Sequence, residues 1–170
     1  MKLTYREIWA LVHGLLIGGP FLLAFSGAVV GLAGLRADHL TADGIHHRVK
    51  QLRLGTCVMA GMAWAIVLIG TWVLLPWYSE DTPDSPRSRL LADPSTRQWH
   101  ELADVWKTHV AFMSPILATA AAALVVYYGP VLSRDRTVRS IVLALLLAAF
   151  AVASLAALIG SLVTRAAPLR

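Results

Sequence analysis

Two of the six histidines in this 170-residue chain lie inside apolar stretches, where an ionisable side chain is rare and usually functional. His13 falls in IWALVHGLLIGG and His109 in VWKTHVAFMSP. Two imidazoles facing each other across a helical bundle present one nitrogen to each axial position of an iron, which is what a b-type haem requires. The neighbouring residue types suit such a group. Gly14 leaves room for a flat ring, and Trp9, Trp106, Phe112 and Met113 supply apolar walls. Arg6 and Lys107 stand near enough in sequence to hold propionates. A structural reading stands beside this one: aromatic belts form at membrane interfaces without a cofactor, and a histidine can donate to a carbonyl of a neighbouring helix. Quinone binding and proton transfer are the remaining readings of the same pair.

The other histidines carry weaker signals. His100 opens HELAD, which matches the zincin pattern HExxH except that Asp104 stands where the second histidine should be. That departure removes the defining ligand pair, so His100 and Asp104 at i and i+4 hold a metal only weakly, and a solvated face of an interfacial helix is the plainer expectation. Nine residues separate His100 from His109, about half a turn out of phase, so the two should not share a ligand on a straight helix. His39, His46 and His47 sit among Arg48 and Lys50 in the first loop and read as a solvated face that meets headgroups or a partner.

The elements that would position these residues are membrane helices. Hydrophobic residues make up 57% of the chain and charged residues 15%, too apolar for an ordinary soluble domain. Four runs, 8–35, 54–78, 107–128 and 141–164, approach or exceed the roughly 20 residues a hydrocarbon core demands. Without period-2 alternation they are expected as helices, because backbone groups in lipid must be satisfied internally. The first run is about twice the length of a secretory h-region and reads as a retained anchor. Its glycines, Gly14, Gly18, Gly27 and Gly31, have the spacing of close helix packing, and Pro20 predicts a tilt or kink. Pro76 is expected to help end the second helix, and Gly129 with Pro130 the third. Cys57, the single cysteine, reads as a small core residue.

Before the third span, Trp99, Leu102 or Ala103, Trp106 and Val110 recur at helical spacing, which predicts an interfacial amphipathic helix over 95–106, opened by a Ser95–Gln98 capping box. The fold class is therefore all-α, a single-domain integral membrane four-helix bundle with that helix preceding helix 3. Helices 1 and 3 run in the same direction. His13 lies about five residues past Ile8, roughly 7 to 8 Å along the axis, and His109 enters its span at a similar depth.

The two short loops are dense in Arg and Lys, which places them in the cytoplasm and puts both termini and the 79–106 loop on the outer side of the membrane. The net charge of +5 is not organised into a basic run interleaved with aromatics, so nucleic acid is not an expected partner. No serine, cysteine or lysine has a recognisable activating base, and no glycine-rich phosphate loop follows a strand. The chain is not expected to be catalytic alone.

With His13 in helix 1 and His109 in helix 3, the arrangement resembles four-helix membrane cytochromes b, the haem-carrying anchors of respiratory enzymes. The resemblance covers topology and those two residues, and helices 2 and 4 lack histidine, so one bis-histidine haem is the most the bundle accommodates. The chain also resembles small bacterial inner-membrane proteins. What the cytochrome resemblance implies is haem b ligated by His13 and His109, electron exchange with a quinone or a periplasmic cytochrome c, and partnership with other membrane or periplasmic redox subunits. The competing expectation is a cofactor-free subunit that anchors a partner through 79–106.

Overall fold

The computed structural model describes residues 3–166, with the side chains at 107, 108 and 166 outside the described residues. Helices account for the described structure, and no strand occurs among the described residues. The first span comprises α1 (Tyr5–Leu11), a π-helical turn (Val12–Ile17) and α2 (Gly18–Ala33). The second joins α3 (Ala42–Ile69), a π turn (Gly70–Leu74) and α4 (Leu75–Tyr78). Two short helices follow, α5 (Pro86–Ala92) and α6 (Arg97–Val105), then a third π turn (Trp106–Val110), α7 (Met113–Tyr128), a 3-10 turn (Gly129–Ser133) and α8 (Arg136–Ala166).

Four helices are long and apolar enough to cross a membrane: Tyr5–Ala33, Ala42–Tyr78, Met113–Ser133 and Arg136–Arg165. Their limits differ from the sequence expectation for local reasons. Thr4 and Glu7 form a capping box that starts the first helix ahead of Ile8. The Thr41 hydroxyl accepts from Gly44 N, so the polar stretch before Leu54 is already helical. The third span begins later, since a π turn and a short non-helical step separate it from α6.

The expected Ser95–Gln98 box does not form. Instead the backbone N and Oγ of Ser95 both donate to Asp93 Oδ1, each at 2.8 Å, which holds the Asp93 carboxyl below its ordinary range. Thr96 takes the N-cap place, and its hydroxyl donates to Leu90 O.

Each span packs on its neighbour in the chain, and the first closes more lightly on the fourth, so the first and third stand diagonally across the bundle. Lipid supplies no hydrophobic drive between helices, so close packing and interhelical hydrogen bonds must hold them. The core is accordingly rich in alanine: Ala28, Ala60, Ala63, Ala118, Ala121, Ala122 and Ala149 are all buried. Ser114 Oγ donates to Ala149 O at 2.9 Å, and Trp64 Nε1 to Thr119 Oγ1 at 3.1 Å. Phe25 and Phe150 stack at 4.2 Å with planes 4° apart, closing the first span on the fourth. The glycine spacing of helix 1 serves helix packing only at Gly31, whose Cβ position is 3.7 Å from Leu52 Cδ1; positions 14 and 27 have no atom within 4 Å. Cys57 is exposed on the outside of the bundle, contrary to its expected core place.

At the end formed by the first and third loops, arginines satisfy carbonyls that terminating helices leave open. Arg139 Nη1 donates to Leu35 O, Leu132 O and Ser133 O at 3.1, 3.1 and 3.3 Å. Arg53 Nη2 donates to Val126 O at 3.1 Å and lies against Gly129, whose φ of 48° ends α7 where the 3-10 turn begins.

Candidate functional site

Prolines shape the opposite end. A proline lacks the N–H that would bond the carbonyl four residues back, and its ring crowds that carbonyl. Pro20, Pro76 and Pro115 therefore disturb the turns that contain or adjoin Leu16, Trp72 and Ala111. Each disturbed turn widens to π geometry: Val12–Ile17, Gly70–Leu74 and Trp106–Val110. The third ends with Ala111 N donating five residues back to Trp106 O at 2.9 Å. The second helix ends at Tyr78, two residues past Pro76. The fourth helix is α-helical from Arg136 to Ala166. Topology puts all three π turns toward one side, near the first span's start, the second's finish and the third's entry.

His13 lies in the first π turn and His109 in the third. The half-buried His13 ring rests against Gly70 of the second, with Cε1 3.4 Å from where a Cβ would stand. Beside it, Gly14 faces open space. Trp9, Trp106 and Phe112 are half-buried, whereas His109 and Met113 are exposed. Trp106 Nε1 is buried and has no hydrogen-bond partner among the described residues, an uncommon state for an indole donor. Arg6, one of the two expected propionate partners, is already engaged. Its guanidinium pairs with Glu80 at 3.0 Å and lies 5.3 Å from the Trp77 ring centre, tying the first span to the second loop. The Lys107 side chain lies outside the described residues.

His100 turns out to belong to the inward face of α6, with Trp99, Ala103 and Trp106, where a solvated position was expected. The reason is Tyr78. This residue is buried at the end of α4, and its hydroxyl shares a 2.7 Å hydrogen bond with His100 Nδ1, the rings stacking at 5.9 Å. Around them Leu90, Ala103, Ile159 and Val163 form a second apolar cluster with Leu75 and Trp106, which fastens α5 and α6 to the last turns of α8. Asp104, the other half of the weak metal pair, is exposed, and no group of three or more His, Cys, Asp or Glu side chains is placed to hold a metal among the described residues.

Gly70, Tyr78 and Glu80 were not singled out in the sequence as partners of the candidate residues. The prolines were the available signal: Pro20, Pro76 and Pro115 each stand two to five residues past the turn that carries His13, Gly70 or His109. No protein-family model, curated protein or solved structure matches the chain.

Proposed function

We propose that this chain is an electron-transfer subunit of a membrane redox complex, holding one b-type haem between the first and third spans with His13 and His109 as axial ligands. The observation that carries the reading is that both histidines lie in π turns on diagonal helices near the same membrane face. Such turns recur at functional sites because they re-aim side chains. Two further features fit a flat, polar-edged group: the open space at Gly14 and the buried, unpartnered Nε1 of Trp106. When bound, the haem would accept and release single electrons.

In this reading the chain's own residues bind and shield. His13 is braced by Gly70, Trp9 and Phe112 exclude water, and the Trp106 N–H is available to a propionate or a quinone carbonyl. The Arg6–Glu80 pair makes Arg6 a brace for the second loop and leaves the propionate role to Lys107 and Trp106. The same proposal places the chain in a bacterial inner membrane with its termini and 79–106 on the periplasmic side, exchanging electrons with a quinone or cytochrome c.

A second reading, a cofactor-free anchoring subunit, is favoured by the exposure of His109 and by the α5–α6 cap, which presents 79–106 as an ordered surface. The visible spectrum of the purified full chain, with and without dithionite, separates the two. A reduced-minus-oxidised b-type band is expected, abolished or altered by His13→Ala and by His109→Ala and retained by His100→Ala. Absence of the band in the wild-type protein, expressed with ample haem, overturns the haem reading and leaves the anchor.

A further inference from the structure

Residues 5–17 are lightly held to the bundle. Neither α1 nor the π turn that follows it contains a buried residue, and the first buried residue of the span is Phe21. The other spans bury side chains at this end: Tyr78 in the second, Ser114 in the third, Ile159 and Val163 in the fourth. The segment packs chiefly against the Gly70–Leu74 turn and α3, while Tyr5, Ile8, Leu11, Leu15 and Leu16 are exposed on the outside. Lipid is as apolar as a neighbouring helix and gives no hydrophobic drive for keeping them together. Specific contacts therefore decide whether the segment stays in place.

At the tip, the Arg6 guanidinium pairs with Glu80 Oε1 and Oε2 at 3.2 and 3.0 Å and lies 5.3 Å from the Trp77 ring centre. The two side chains of the pair are 41% and 43% exposed, a setting in which ion pairs are weak and screened by salt. Farther down, His13 Cε1 rests on Gly70. Below His13 the helix has few constraints. Gly18 N donates only three residues back, to Leu15 O, a Cβ at Gly19 would meet nothing within 4 Å, and Pro20 brings no N–H to Leu16 O. Helices bend at such places. From Phe21 onward the span is fixed, with Phe21, Ala28 and Leu32 buried and Phe25 stacked on Phe150.

We propose that residues 5–17 form a hinged arm, latched over the Gly70 seat of His13 by the Arg6–Glu80 pair and swinging about 17–20 into the surrounding lipid when the latch opens. Swinging moves apolar side chains from helix to lipid, so it exposes none of them to water. It carries His13 off Gly70, which gives this histidine a covered and an uncovered state. The arm moves whether or not a haem is bound, and a missing haem band would leave the inference standing.

The test measures spin-label distances by double electron–electron resonance in the full chain, in phosphatidylcholine nanodiscs, with Cys57→Ser removing the exposed native thiol. Labels at Ile8→Cys and Leu158→Cys, both exposed positions at this end, report the arm against the fourth span. Labels at Leu23→Cys and Leu147→Cys, also exposed, report the fixed part. The first pair is expected to show two distances and the second pair one. Glu80→Gln should raise the ratio of the longer to the shorter distance about threefold, Asp81→Asn should leave it unchanged, and Arg6→Glu with Glu80→Arg should restore it. Pro20→Ala should lower the same ratio. A single distance for the first pair in both the wild type and Glu80→Gln overturns the arm, as does equal broadening at both pairs, which would mean that the whole bundle loosens. A ratio that Glu80→Gln leaves at the wild-type value overturns the latch.

Discussion

The His13 imidazole is seated on Gly70, its Cε1 3.4 Å from the position a Cβ would take, so one π turn of the first span is packed against one of the second. An alanine at 70 fits at ordinary contact distance, while a larger side chain must displace the ring. Gly70→Ala is therefore expected to change unfolding stability in detergent by less than about 1 kcal/mol, and Gly70→Leu to destabilise by about 1–3 kcal/mol. Where a haem band is present, the Leu variant should shift or lose it and the Ala variant keep it. Indistinguishable behaviour of the two would show that this contact does not position His13.

Pro115 has its own consequence for His109. Restoring an N–H at 115 allows a bond to Ala111 O, which favours regular α geometry where the turn is now widened. In Pro115→Ala, amides at 106–112 are expected to exchange more slowly with deuterium, and His109 to change orientation with them. Unchanged exchange protection across this stretch would mean that the neighbouring helices, and not the proline, impose the π turn.

The Tyr78–His100 bond fastens α6 to the second span. Tyr78→Phe leaves a half-buried imidazole without that partner and is expected to destabilise by about 1–2 kcal/mol. A double-mutant cycle with His100→Ala should show coupling of about 1 kcal/mol, which is the part assignable to the pair. Additive losses would mean the cap is held by Leu90, Ala103, Ile159 and Val163 alone.

At the other end, Arg139 joins the close of the first span to the close of the third through Leu35 O, Leu132 O and Ser133 O. Arg139→Gln is expected to destabilise by about 2 kcal/mol, since charge-assisted bonds to helix-end carbonyls are lost together. Arg134→Gln, an exposed neighbour, should be within about 0.5 kcal/mol of wild type. A similar loss in both would point to overall charge, with no special role for the capping bonds.

The amino-acid sequence alone determined the all-helical class, the four apolar spans and the helix ahead of the third, because length, hydropathy and 3.6-residue spacing act within a single segment. It also marked Gly129 as chain punctuation, where one residue's φ decides the outcome. Partnerships between segments were decided by the tertiary structure. His100 has the same sequence context whether or not Tyr78 lies beneath it, and only the folding of α6 onto the end of the second span turned an expected solvated residue into a half-buried partner. Arg6 met Glu80, seventy-four positions away, for the same reason. Cys57 moved from expected core to outer face because helix 2 is apolar nearly all round, so hydropathy gave no phase by which to orient it. His13 and His109 were legible as unusual residues. The π turns that hold them, and the Gly70 seat beneath one of them, depend on how three prolines distort the turns before them in their own spans, a property of backbone geometry that spacing rules for regular helices do not contain.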